Sequence, residues 1–142
     1  MRKRTLAREL VLKVLYQADI RKESMSLLAK SFSDLSEIND SEIKDFASVL
    51  ISGIEKNLKD IDAKIFKYAS NWDISRMAFI DRNVLRMGIF ELLYMPDVPS
   101  KVSINEAIEL VKKYGDIESS KFVNGILDKA HKENPVVKDK KS

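Results

Sequence analysis

Apolar residues recur at intervals of three and four along most of the chain, and no segment alternates convincingly at two. Leu6, Leu10, Val14 and Ala18 fall at spacing four, with Ala7, Val11 and Leu15 beside them. This predicts a first helix with a broad apolar face, capped by Thr5. Residues 24–39 are less regular, and Leu27, Leu28, Phe32, Leu35 and Ile38 suggest a short helix followed by a loop. Asn39, Asp40 and Ser41 then offer caps to a long helical stretch running from Ile43 to Tyr68, with a break expected between Asn57 and Asp62.

Asp81 stands where a cap would precede Val84, Leu85, Gly88, Ile89 and Leu92, and Pro96 ends that helix. Residues 97–101 read as a loop. Ser103 and Glu106 form an S-x-x-E capping box ahead of Ala107, Ile108 and Val111, and Gly115 suits a left-handed position beyond Lys112 and Lys113. Ser119 or Ser120 would cap a last helix burying Val123, Ile126, Leu127 and Ala130. The fold class expected is all-α, with six or seven helices.

Composition narrows the picture. With 142 residues and 44% hydrophobic content, the chain can bury one real core, and four glycines and three prolines favour long helices. Residues 1–134 are expected to form a single domain, followed by a polar, basic tail over 135–142 without fixed structure. The chain has no cysteine, which excludes disulfides, thiolate zinc sites and thiol catalysis and fits a cytoplasmic setting. Arg8, Glu9, Lys13 and Asp19 interrupt the first apolar run, so neither a signal peptide nor a membrane span is expected.

Candidate chemistry is sparse. His131 is the only histidine, so neither a paired-histidine metal site nor an HExxH motif can form, and no phosphate-binding glycine loop occurs. Neither catalysis nor a cofactor is expected. The net charge of +3 is too small to argue nucleic-acid binding by itself, so placement matters more. Arg2, Lys3, Arg4 and Arg8 crowd a helix N-terminus, where cations oppose the macrodipole. They are either a frayed tail or a group that holds phosphates. Lys121 and Phe122 pose the same choice: a phosphate contact beside a base-stacking ring, or an exposed lysine beside a core aromatic.

Several motifs occur together in a recognisable order. INEAIELVKKYG (104–115) is followed by SSKFVNGILDKA (119–130). Upstream stand DRNVLRMGIFEL (81–92), SRM (75–77) preceded by Trp72, and ARE and LYQ (7–9 and 15–17). Together these resemble the NusB transcription antitermination family over residues 4–129. Thr5 and Leu6 depart from the family's usual arginine run into A-R-E, and Lys13 stands where glutamine is common.

The resemblance implies a compact bundle of about seven helices in two subdomains, without enzymatic activity. It implies binding to the boxA element of ribosomal RNA leader transcripts as a heterodimer with the ribosomal protein NusE, within an RNA polymerase antitermination complex. By match, the RNA surface takes Arg4, Arg8, Lys121 and Phe122, and the NusE surface takes Tyr16 and Asp81; Arg2 and Lys3 join the RNA surface as members of the same N-terminal basic cluster. A homodimer of the free protein through that reserved surface is conceivable on the same grounds. Two other readings compete. One is an RNA-binding domain working with a ribosomal RNA methyltransferase or in ribosome assembly. The other is a membrane-surface protein using its first helix, whose apolar face the bundle core also needs. Gly125, in the interior of the last helix, is expected to admit a closely packed neighbouring helix.

Overall fold

The computed structural model describes residues 2–70 and 72–134, with the Arg2 side chain excepted, so the tail expected over 135–142 lies outside the described residues. Eight α-helices and one 3-10 turn form, and no strand occurs among the described residues. The chain divides into two compact units, Met1–Asn57 and Leu58–Ser142. The expected all-α class holds. The helix count exceeds the expectation of about seven because residues 33–36 close one extra short turn.

In the first unit, α1 (Arg2–Arg21) packs along α4 (Ser41–Lys56), with α2 (Met25–Ser31) and α3 (Ser33–Ser36) between them in sequence. Ala7, Val11, Val14 and Leu15 of α1 are fully buried, as are Ala47, Leu50 and Ile54 of α4. Asp40 caps α4 as expected, its carboxylate accepting from the amides of Glu42 and Ile43. The helix stops at Asn57, whose side-chain amide donates to the Gly53 carbonyl at 2.8 Å. The expected break is therefore a single residue.

The start of α2 is held from α4. The Glu55 carboxylate accepts from the Ser24 hydroxyl at 2.9 Å, the Met25 amide at 2.7 Å, and the amide and hydroxyl of Ser26. A carboxylate at a helix N-terminus satisfies donors that otherwise lack partners and complements the dipole. Burial pulls the Glu55 carboxyl upward. The hydroxyls of Ser26 and Ser24 and the two amides outweigh it, so its pKa lies below the ordinary 4.5. Glu55→Ala should cost about 1–2 kcal/mol in urea unfolding. Because folding lowers this pKa, the contribution is present above pH 4.5 and disappears as pH falls through the folded value. The two proteins should therefore converge in acid; an equal gap at pH 7 and pH 3 would exclude the carboxylate as its source.

In the second unit, α6 (Phe79–Tyr94) is central and packs against α5 (Leu58–Tyr68), α7 (Ser100–Tyr114) and α8 (Ile117–Glu133). A 3-10 turn, Ile74–Arg76, precedes it. Val84, Leu85, Ile89, Val111, Val123 and Leu127 are fully buried. Close helix contact is centred on Gly88, where a Cβ would lie 2.9 Å from both terminal methyls of Leu127. Gly125 was expected to serve that purpose, but it is exposed, with open space around the position its Cβ would take.

Polar crosslinks within this unit displace several expected caps. Arg86 is buried and forms a bidentate pair with Asp62, Nε to Oδ1 at 2.9 Å and Nη2 to Oδ2 at 3.0 Å, joining α6 to α5. Ser103 lies inside α7, which starts after Pro99, and its hydroxyl donates to the buried Glu91 of α6 at 3.1 Å. The capping box with Glu106 is therefore absent. Thr5 likewise falls inside α1, and Ala78 rather than Asp81 precedes α6. Asp116 caps α8 by accepting from the Ser119 amide at 2.8 Å, which leaves the Ser119 hydroxyl free to bond elsewhere. Gly115 has φ −108°, not a left-handed value; a Cβ there would lie 2.8 Å from the Val111 carbonyl oxygen. Crowding by the last turn of α7, not backbone handedness, favours glycine at that position.

Candidate nucleic-acid surface

The basic N-terminus is helical from Arg2, so it is not a frayed tail. No acid stands in the first turn of α1 to offset its cations; α4 supplies the countercharge instead. Lys3 Nζ lies 3.0 Å from Asp40 and 3.8 Å from Glu42. Its hydrogen bond to Asp40, reinforced by both carboxylate charges, raises the ammonium pKa above 10.5. The same bond, with the amides that Asp40 caps, lowers the Asp40 carboxyl below 3.8.

Arg4 and Arg8, one helical turn apart, both lie over the ring of Phe46, with guanidinium carbons 4.5 and 5.0 Å from its centroid. Such stacking stabilises a cation through the ring quadrupole and leaves its N–H donors directed sideways. Arg4 is half-buried. Arg8 is only 3% exposed. At that depth it supports Phe46 and, through the ring, Arg4. Phe46 is the residue that sequence reasoning missed: its period assigned it to the core, and a ring shared with two arginines crosses between helices. The expected role of Arg2 concerns a side chain outside the described residues.

Lys121 sits in the second turn of α8, not the first, so its conflict with the helix dipole is smaller than its place in the sequence suggested. It is exposed, and the adjacent Phe122 is half-buried. Gly125 follows Lys121 by four residues and therefore shares its face. Beyond them, Asp128 is ion-paired with Lys132 at 3.0 Å. Lys3 and Arg4 belong to the first unit and Lys121 and Phe122 to the second.

Tyr16 is half-buried on α1. Asp81 occupies the first turn of α6, and its Oδ2 accepts from the Ser119 hydroxyl of α8 at 2.9 Å. Its Oδ1 is buried and has no hydrogen-bond partner, while the residue as a whole is half-buried. Burial raises the Asp81 pKa above 3.8; the Ser119 bond opposes this and the Asp116 charge adds to it. Beside this corner Ile117 is 76% exposed.

No group of three or more potential metal ligands comes together among the described residues, and none of their helices is long and apolar enough to cross a membrane. Fold and surface thus describe an all-α protein with two arginines stacked on one ring and an exposed lysine beside a half-buried phenylalanine.

Residues 5–132 match the NusB family. The chain is 48% identical over 126 residues to the transcription antitermination protein NusB of Chloroherpeton thalassium, covering 89% of this chain and 60% of that relative's length. It is 46% identical to the protein of the same name from Myxococcus xanthus, covering 89% of this chain and 92% of the relative. A crystal structure of antitermination factors NusB and NusE in complex with double-stranded RNA superposes with TM-score 0.85 at 32% identity, covering 94% of this chain and 98% of that one. The chain belongs to the NusB family of transcription antitermination proteins.

Proposed function

We propose that this protein binds the boxA element of ribosomal RNA leader transcripts together with NusE, and that the pair joins an RNA polymerase complex that suppresses termination. It acts in the cytoplasm as a binding factor, without catalysis. The observation that carries this reading is the stacking of Arg4 of α1 on Phe46 of α4, together with the exposed Lys121 next to Phe122 on α8, in a chain similar to one crystallised with NusE and RNA. Arg2, Lys3, Arg4 and Lys121 supply phosphate contacts, Phe122 stacks a base, and Arg8 seats the first cluster from below. Tyr16 and the Asp81 corner face NusE, with Asp81 orienting the start of α8 and so presenting Ile117. In the absence of NusE, the residues that face it serve a homodimer.

Affinity for a short boxA RNA and for a scrambled RNA of equal length, measured across salt concentrations, tests the reading. Binding should weaken steeply with salt and favour boxA, and Lys121→Gln should reduce the salt slope by roughly 0.7. Equal affinity for the two RNAs would remove the sequence-specific part of the proposal.

The Lys3 pairing yields a sharper expectation. Asp40→Asn retains an acceptor for the α4 cap but releases Lys3 from its strongest partner. RNA affinity should rise roughly two- to fivefold at low salt, with the gain fading as salt is added. Unchanged affinity would place Lys3 outside the RNA path.

A further inference from the structure

A pocket of about 360 Å³ opens in the first unit where α2 and α3 lie against α4. This volume falls within the range of small-molecule sites. Its floor is apolar, formed by Ala29, Leu35 and Ile51, and its rim carries Lys30, Lys44 and the hydroxyls of Ser36, Ser48 and Ser52. Lys44, Ser48 and Ser52 follow one another at spacing four along α4, so they form a single polar edge beside Ile51.

Neither Lys30 nor Lys44 is ion-paired with a described residue, in contrast to Lys3, Lys64, Lys67 and Lys132, which all have carboxylate partners. Two uncompensated cations on an apolar cavity favour a dianion attached to a flat or aliphatic body. Hydroxyls that can both donate and accept suit a sugar between them.

We infer that this pocket binds a nucleoside monophosphate, with the phosphate on Lys30 and Lys44, the base against Leu35 and Ile51, and the ribose along Ser48 and Ser52. The nucleotide is either free or an unpaired residue of an RNA strand. The site lies away from Lys3, Arg4, Lys121 and Phe122 in sequence and uses none of them.

Titration of the isotope-labelled full chain with adenosine 5′-monophosphate, followed by amide NMR shifts, tests this. Saturable shifts should appear at Ala29, Lys30, Lys44, Ser48 and Ser52. Inorganic phosphate alone and adenosine alone should each bind at least tenfold more weakly. Lys30→Gln combined with Lys44→Gln should weaken the nucleotide at least tenfold while leaving the urea midpoint unchanged. Absence of saturation, an undiminished response in the double variant, or phosphate binding as tightly as the nucleotide would each overturn the inference.

An unstructured six-nucleotide RNA distinguishes the two sources. If it shifts the same amides at lower concentration than the mononucleotide, the occupant is a strand residue; the reverse order assigns a free nucleotide. Lys121→Gln should leave the mononucleotide titration unchanged, so failure at this pocket and failure of the boxA reading are separately visible.

Discussion

Arg86→Met should lower the unfolding free energy by about 3 kcal/mol, measured by urea denaturation, with the midpoint shifted and the slope preserved. Arg86 is 7% exposed, and its guanidinium donates to the two Asp62 oxygens and, at 3.0 Å, to Asn83 Oδ1. Asn83 in turn donates to the Phe79 carbonyl at 2.9 Å, so the network ties α5 to the first turns of α6. Methionine fills much of the lost volume but leaves Asp62 without its partner. Removing one member of a buried pair costs about 3–5 kcal/mol; Asp62 retains 24% side-chain exposure, so partial hydration places this case at the lower end.

The expectation has a companion. Adding Asp62→Leu to Arg86→Met should recover more than half of the loss, because no charge is then stranded. Arg86→Lys should recover little, since a single ammonium cannot reproduce the bidentate geometry. A loss below about 1 kcal/mol in the single variant would mean that Asp62 hydrates freely and that the pair contributes little to stability.

Phe122→Leu should weaken boxA RNA binding by about 1–3 kcal/mol, roughly five- to 150-fold, the range measured for loss of one stacked base. Leucine is the appropriate replacement because Phe122 is half-buried, and truncation to alanine would confound stacking with a cavity. The salt slope should hardly change, because no phosphate contact is removed. This separates the ring from its neighbour Lys121, whose neutralisation flattens the slope. Reduced stability with unchanged RNA affinity would assign Phe122 to the core instead.

The helical architecture was legible because three- and four-residue spacing persists wherever helices bury one face. The Asp40 cap was legible too, since it is a local bond between a side chain and amides two and three residues ahead. The caps expected at Ser103 and Ser119 failed for a common reason. Ser103 and Ser119 have the right residue type for a helix start, yet their hydroxyls bond to Glu91 and Asp81, which are distant in sequence. Glu55, which holds the start of α2, lies 30 residues from Met25 and gave no local sign of that role. At the candidate site, the clustering of Lys3 and Arg4 and the adjacency of Lys121 and Phe122 could be read directly. The burial of Arg8 and its sharing of Phe46 with Arg4 could not, because they depend on how α1 meets α4.

Gly125 offers a practical vantage point. It stands on open helix surface, one turn past Lys121, where an added Cβ meets nothing within 4 Å. The chain contains no cysteine, so Gly125→Cys creates a unique thiol without competing labelling sites. Replacing a mid-helix glycine by cysteine should also gain about 0.3 kcal/mol of helix propensity. A fluorophore or spin label attached there would sit beside the proposed RNA path while leaving the Gly88–Leu127 packing untouched, turning an uncrowded residue of α8 into a built-in observation post for RNA arrival.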